Sequence, residues 1–358
     1  MPEARFMQRC FQLACYGAGN VSPNPLVGAV LVYKGKIIGE GWHKRWGGAH
    51  AEVNCLDSVL PENQSLIPYS TLYCNLEPCA HFGKTPPCTD LILGHKVSSV
   101  VVSNLDPNPL VSGKGLEKLK RGGIETSIGL LEKEGAWLNR AFFTWIAKAR
   151  PYIILKWAQS ADGYLGEINQ RTTISSQAAL RLVHRWRADC DAIIVGTNTA
   201  ILDNPRLDNR YFYGKKPLRV VLDTQAKIPF SHNLLDDSTE TWVYRQEPES
   251  KNSENRRHFV HTQFINARKR VLISDILENL KRNNCAILLV EGGANLLDQF
   301  IQTGNWDEIR VLENIMVLRQ GLASPVIPSE AILMEQFQLG EDCVHIFARQ
   351  SSTMHADN

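Results

Sequence analysis

A histidine at position 50 and cysteines at 79 and 88 constrain the fold more than any other feature of this chain. They read as ligands, and ligands distant in sequence must converge on one point. Histidine and two thiolates fill three corners of a tetrahedral zinc site and leave the fourth for water. Glu52 stands two residues past His50. It is not needed as a ligand, and its place suits it to move protons for that water. Three protein ligands, an open position and an adjacent carboxylate describe a hydrolytic zinc deaminase. The alternative is a closed zinc site that only braces the fold, with His43, Cys74 or His81 as fourth ligand. That reading leaves Glu52 unexplained. Each cysteine follows a proline, Pro78 or Pro87, where a helix start would favour the thiolate.

The hydrophobic pattern sets what surrounds these ligands. Helical spacing runs over 5–16, 49–60, 116–121 and 131–148, with a short helix after Pro87. Strand patterns cover 27–32, 37–42, 71–76, 97–103 and 125–128, the first two joined by a Lys34-Gly35 turn. Arg150-Pro151 breaks the series and a second one begins. Its strands read as 152–157, 192–195, 218–223, 241–245, 286–290 and 309–318. Its helices read as 176–187, 274–282 and 294–303. Alternating strands and helices predict layered α/β domains. At 358 residues the chain is too long for one ordinary core. The reading is therefore a domain over 1–148, a second over 151–345, and a polar C-terminal tail over 346–358.

Charge narrows the partners. The 39 basic and 37 acidic residues give a net charge of +2, which argues against a dedicated nucleic-acid binder. The N-terminal segment has no apolar core of signal-peptide length, and no uncharged run approaches a membrane span. A cytoplasmic protein without membrane contact is expected. Its nine cysteines show no disulfide rhythm. Those other than Cys79 and Cys88 read as small buried or neutral residues.

The motifs resemble one family. Asn24-Pro-Leu-Val-Gly28, His50-Ala-Glu52, Leu76-Glu-Pro-Cys79-Ala-His81-Phe-Gly-Lys84-Thr-Pro-Pro-Cys88 and Asp106-Pro-Asn108-Pro-Leu-Val-Ser-Gly-Lys-Gly115 together resemble the bifunctional riboflavin-biosynthesis deaminase/reductases. The eight residues between the cysteines belong to that family's pattern. The resemblance implies a cytidine-deaminase-like α/β/α layer domain followed by a dihydrofolate-reductase-like α/β domain. It implies one zinc ion per chain and a phosphorylated pyrimidine substrate, 2,5-diamino-6-ribosylamino-pyrimidinone 5′-phosphate. Asn24, His43, His81, Lys84, Asp106 and Asn108 stand at positions that contact this substrate in the family. Lys84 and His81 can meet a phosphate. Asn24 and Asn108 lie between prolines, so turn capping is the competing reading for both.

In the second domain, Val290-Glu-Gly-Gly-Ala-Asn-Leu296 runs from a strand through a Gly-Gly turn into a helix, a shape that brings backbone N–H groups to a phosphate. Alone this is weak. With Lys156-Trp-Ala-Gln-Ser-Ala-Asp162-Gly163, Val195-Gly-Thr-Asn-Thr199 and Asp203-Asn-Pro205-Arg-Leu207 it resembles the family's NADPH-dependent reductase. The resemblance places Ala158, Thr199, Asp203, Thr224, Gly293, Ala294, Asn295, Leu296, Leu297, Asp298 and Gln299 near NADPH. It places Arg187, Leu207, Arg210 and Glu291 near the substrate. Arg187 and Arg210 can clamp a phosphate, with a structural ion pair as the alternative. Adding a side chain at Gly293 is expected to crowd the cofactor phosphate and strain the backbone. Arg171-Thr-Thr173-Ile174 departs from the Ser-x-Trp-Ile run of many relatives. A deaminase with a silent reductase-like half is therefore a second reading, and a nucleic-acid base deaminase a third. A homo-oligomer, dimer or tetramer, is expected.

Overall fold

The structure, a computed structural model, describes residues 2–82, 86–109, 111–246, 259–267 and 271–350. Lys84 lies outside the described residues. The chain divides into two compact units between Ala149 and Arg150.

The first unit is built on a mixed five-stranded sheet. Helix α1 (Ala4–Cys15) leads to the hairpin β1 (Gly28–Tyr33) and β2 (Lys36–Trp42). Then follow α2 (Ala51–Asp57), β3 (Thr71–Leu76), α3 (Cys88–Gly94), β4 (Ser99–Asn104), α4 (Lys114–Arg121), β5 (Glu125–Ile128), α5 (Glu132–Leu138) and α6 (Arg140–Ala147). The strand order is β2-β1-β3-β4-β5, with β3, β4 and β5 parallel and the hairpin antiparallel. Phe6, Met7, Cys10 and Leu13 of α1 pack on Val30, Val32, Tyr73 and Val101 of one sheet face. Cys55 and Leu56 of α2, Ile92 of α3 and Leu116 and Leu119 of α4 cover the other. The result is the expected α/β/α layering.

Two helices end earlier than their periodicity suggests. The 49–60 pattern yields only Ala51–Asp57. Leu60, the residue before Pro61, is extended, as a following proline favours, and Pro61 then opens a 3₁₀ stretch, Pro61–Tyr69. The single helix read over 131–148 is two helices broken at Asn139. The Asn139 amide is committed elsewhere: it accepts from the Leu26 N–H at 2.8 Å and donates to the Leu26 carbonyl at 2.9 Å.

The second unit carries a nine-stranded sheet ordered β11-β10-β9-β8-β12-β6-β13-β16-β15. Its elements are β6 (Tyr152–Ser160), β7 (Tyr164–Gly166), α7 (Gln177–Asp189), β8 (Ala192–Gly196), α8 (Thr197–Asp203), β9 (Leu218–Leu222), β10 (Thr241–Gln246), β11 (Thr262–Ala267), α9 (Ile273–Arg282), β12 (Ile287–Val290), α10 (Ala294–Gln302), β13 (Glu308–Asn314), β14 (Leu322–Ala323), β15 (Ala331–Leu339) and β16 (Asp342–Arg349). Strands β11 through β13 run parallel, and β16 and β15 close the edge antiparallel. Helices α9 and α10 bury Leu277, Leu280, Leu297 and Phe300 against one face. Helix α7 buries Ala179, Val183 and Trp186 against Leu312 and Val344 on the other.

Strands β7, β11, β14, β15 and β16 and helix α8 were not apparent from the pattern, and the predicted tail is corrected here. Ile346, Phe347 and Ala348 lie within β16, paired with Arg310, Ile309 and Glu308. Polar residues beyond 350 made the whole segment look unstructured, and those residues lie outside the described ones. Cys15 is also exposed rather than buried, while Cys285 and Cys343 are half-buried. Cys10, Cys55, Cys74 and Cys190 are buried thiols held neutral by their burial. Among the described residues, no helix is long and apolar enough to cross a membrane.

Candidate active sites

The first site lies where α2 and α3 begin. Gly41 of β2 lets α2 come close, since a Cβ there would sit 2.2 Å from the Cys55 nitrogen. His50 caps α2 and Glu52 lies in its first turn. Cys79 follows β3 in a loop, and only Cys88 starts a helix, α3. The expectation of a helix start at both cysteines is thus half met. The α3 start nevertheless serves Cys79, whose sulfur accepts the Cys88 N–H at 3.3 Å.

His50 Nδ1 lies 3.6 Å from Cys79 Sγ and 3.3 Å from Cys88 Sγ, and the three candidate ligand atoms fall within 4.8 Å of one another. Tetrahedral zinc with bonds of about 2.0–2.1 Å to nitrogen and about 2.3 Å to sulfur separates such atoms by about 3.5 Å. The donor set fits the ion. Among the described residues no fourth donor joins the group. His43 is engaged elsewhere: Nδ1 donates to the Ala49 carbonyl at 3.0 Å, so Nε2 accepts from the Asn24 amide at 3.2 Å. Cys74 is buried in the core. His81 does not join the group either, so among the described residues the closed-site alternative lacks its fourth ligand.

The electrostatics separate the groups by role. A hydrogen bond from Cys88 draws the Cys79 thiol down to about 4, against the opposing effect of burial, and the same bond pushes Cys88 up. The bond to Cys79 raises His50. Burial raises Glu52, which is 3% exposed, as suits a carboxyl that must hold a proton for part of a cycle. Burial lowers His43 and keeps it neutral.

These residues line a cavity of about 400 Å³. Asn24, His43, His81, Asp106 and Asn108 face it beside His50, Glu52 and Cys79. The sequence reading missed Trp46, Glu77, Phe142 and Ile146, which line the same cavity. Glu77 had a visible signal, an acidic residue between an apolar run and Pro78-Cys79; the α6 side chains Phe142 and Ile146 had none.

The second site gathers at the carboxyl ends of neighbouring parallel strands, where open α/β sheets bind ligands. Ala158 is near the end of β6, Thr199 and Asp203 follow β8, Thr224 follows β9, and Glu291 and Gly293 follow β12. Gly293 caps α10 with φ −70°, so the expected backbone strain is absent. A Cβ at Gly293 would meet only the Thr199 hydroxyl, at 3.2 Å, whereas one at Gly292 would press on Leu296 at 2.8 Å. Gly292 is therefore the glycine that packing requires. Ala294, Asn295, Asp298 and Gln299 are half-buried or exposed along α10, but the Leu296 and Leu297 side chains belong to the core.

Arg187 and Glu291 form a buried bidentate pair: Nε to Oε1 at 2.8 Å and Nη2 to Oε2 at 2.7 Å. Arg187 Nη1 also donates to the Asp208 carbonyl at 3.0 Å. Lys156 Nζ lies 4.0 Å from Glu291, and the sequence reading gave it no role. Burial lowers Lys156. Burial would raise Glu291, but the charges of Arg187 and Lys156 outweigh it and hold the carboxyl at about 2. Leu207 is buried with φ +51°, and Arg210 pairs with Asp208 at 2.5 Å. Burial raises Asp203, opposed by the charges of Arg171, in the departing segment, and Lys156.

Comparison with known proteins gives the family. Residues 151–339 match the RibD C-terminal domain, and residues 2–104 match the cytidine and deoxycytidylate deaminase zinc-binding region. The riboflavin biosynthesis protein RibD of Aquifex aeolicus is 37% identical over 97% of this chain and 98% of its own length. That of Escherichia coli K12 is 34% identical over 87% of each. A crystal structure from Thermotoga maritima, a diaminohydroxyphosphoribosylaminopyrimidine deaminase/5-amino-6-(5-phosphoribosylamino)uracil reductase, superposes with a TM-score of 0.86 at 32% identity, covering 97% of this chain and 98% of that one. Acinetobacter baumannii RibD does so with a TM-score of 0.83 at 31% identity and the same coverage. With both a zinc-binding deaminase half and an NADPH-dependent reductase half present, this chain belongs to the RibD family of bifunctional deaminase/reductases of riboflavin biosynthesis.

Proposed function

We propose that the first unit deaminates 2,5-diamino-6-ribosylamino-pyrimidinone 5′-phosphate, and that the second reduces the ribosyl chain of the product to a ribityl chain. The observation that carries the first assignment is the buried Glu52 carboxyl beside the converging His50, Cys79 and Cys88 ligand atoms. Zinc bound there supplies a Lewis acid that brings the pKa of a coordinated water to about 7. Glu52 takes the proton of the attacking water and returns protons to the ring nitrogen and the departing amine, which leaves as ammonia. His43, fixed by Ala49, holds the Asn24 amide so that its oxygen is presented to the substrate ring. Asp106 and Asn108 line the same cavity. His81 at the rim suits the phosphate, with Lys84 proposed beside it from the sequence alone.

In the second unit, NADPH when bound supplies the hydride. The Gly292-Gly293 turn and the first N–H groups of α10 would hold a cofactor phosphate, with Thr199, Asp203, Thr224 and Ala158 along the same strand ends. Glu291 and Lys156 flank the place where the sugar ring must open, and a buried ammonium of lowered pKa is suited to give a proton to the ring oxygen. Arg187 fixes Glu291, and Arg210 stands at the exposed end for the 5′-phosphate.

The chain acts in the cytoplasm, a reading supported by the seven cysteines outside the candidate zinc site, all of them thiols. It works as a homo-oligomer, a reading supported by edge strand β15, where Ile332, Leu333 and Met334 are exposed in succession. The deciding experiment is Glu52→Gln. It should keep zinc, lose ammonia release by about 100- to 10,000-fold, and still oxidise NADPH when given the deaminated intermediate. Loss of zinc, or near-normal ammonia release, refutes the assignment.

A further inference from the structure

Glu77 is a buried carboxylate, 6% exposed, that is not among the candidate metal ligands or proton carriers. It follows β3 and precedes the Pro78-Cys79 turn. Its own N–H donates to the Asn104 carbonyl at the end of β4, at 3.0 Å, so its backbone is held by the sheet. Its two oxygens accept four backbone N–H groups. Oε2 takes those of Asp106 at 3.2 Å and Gly113 at 2.9 Å, and Oε1 takes those of Gly115 at 2.8 Å and Leu116 at 3.3 Å. The donors bracket the segment that carries Asp106 and Asn108 and opens α4. Its described residues form no strand or helix before Lys114. Within it, Asp106 Oδ1 accepts the Asn108 N–H at 2.8 Å, so placing Asp106 places Asn108. Gly115 completes the fit: a Cβ there would meet the Pro78 carbonyl at 2.2 Å and Glu77 Oε1 at 3.0 Å.

We infer that Glu77 is a positioning residue of the deaminase, a single carboxylate that sets the Asp106–Asn108 wall at a fixed distance from the metal ligands and so sets affinity for the phosphorylated pyrimidine. The inference rests on the reading that Asp106 and Asn108 contact the substrate. A carboxylate suits this task because it only accepts, and four converging N–H donors leave no place for a donor on the same side chain. A glutamine of equal size turns one oxygen into an NH₂ group that faces two of those N–H groups. The wall is then released while the metal ligands keep their places.

The test uses the full-length zinc-loaded enzyme, with the reductase of the same chain as internal control. Glu77→Gln should raise the KM of deamination on the order of tenfold, with kcat changed much less. Gly115→Ala, whose Cβ would press on the Pro78 carbonyl and on Glu77 Oε1 and so push the segment off the carboxylate, should shift KM in the same direction. Zinc content and NADPH oxidation should match the unmutated protein in both. A normal KM in both variants overturns the inference. So does a parallel loss of zinc and of both activities, which is the mark of a purely structural carboxylate. Asn108→Ala separates the two levels of reading. If it raises KM while Glu77→Gln and Gly115→Ala do not, the positioning role fails and the substrate wall stands. If Asn108→Ala itself leaves KM unchanged, the substrate wall is wrong and the inference falls with it.

Discussion

Arg187→Ala removes one side of a buried ion pair and strands the other. The two side chains are 11% and 9% exposed, and the guanidinium makes both bonds to Glu291 in parallel. Glu291 is held at about 2 against an ordinary value of 4.5, although burial by itself pushes it up. That gap of roughly 2.5 pH units, at about 1.36 kcal/mol per pH unit, is worth about 3 kcal/mol. Breaking a buried pair from one side costs about 3–5 kcal/mol, so two routes give the same scale. Because the folded pKa lies below the unfolded one, this stabilisation is complete above about pH 4.5 and is lost as the pH falls through about 2. At neutral pH the variant should therefore be less stable by about 3 kcal/mol, lowering the midpoint of thermal unfolding by roughly 6–12 °C for a unit of this size. Lys156, 4.0 Å from Glu291, remains to soften the loss. Glu291→Gln in the Arg187→Ala background should recover much of it, since a neutral amide replaces the stranded charge. The assay is urea denaturation of the two single variants and the double variant at neutral pH, followed by residual reductase activity with deaminase activity as comparator. A coupling below about 0.5 kcal/mol would mean the two residues act independently and would refute the reasoning.

Three further outcomes follow from side chains inside the two units. His184 is fully buried and accepts the Tyr211 N–H at 3.4 Å on Nδ1, and burial lowers its pKa to about 4. The unfolded chain protonates this histidine below about pH 6.5 and the folded one only near 4, so stability should fall across that window, and His184→Asn should flatten the fall in urea midpoints; an unchanged slope contradicts it. Asn139→Leu leaves the half-buried Leu26 N–H without its amide partner, while the Leu26 carbonyl keeps its bond from the Asn75 amide at 2.9 Å, at a cost of about 1 kcal/mol; ammonia release should drop while NADPH oxidation persists, and equal loss of both would be inconsistent with a local role. Gly293→Ala should fold normally whereas Gly292→Ala, pressing on Leu296, should lower thermal stability by about 1–3 kcal/mol; the reverse order would refute the packing assignment.

The sequence announced what repeats and what binds. Apolar runs placed β1, β3, β8, β9, β10 and β12 within a residue or two, because a strand buried on both faces writes itself as a largely apolar stretch. The ligand set was legible because zinc accepts so few side chains at so few spacings. Edge strands were not. β15 is exposed along most of its length, so it carries no alternation to read, and β16 stayed hidden behind the polar residues that follow it.

Asn139 and Glu77 show why the rest of the first site escaped. Asn139 reaches across 113 positions to Leu26, and Glu77 reaches across 29 to 39 positions to four backbone N–H groups. No window of periodicity contains both ends of such a bond, and a buried polar residue breaks the very pattern that periodicity seeks. Both side chains bind backbone rather than substrate, so no motif of reacting groups includes them either. Yet the loop with Asn24 and the loop with Asp106 and Asn108 are irregular segments, and irregular backbone keeps a fixed shape only when its polar groups find partners. The chain therefore splits its task. Apolar strands and metal ligands set where the chemistry sits, and a few buried polar side chains set the width of the gap into which the substrate must fit.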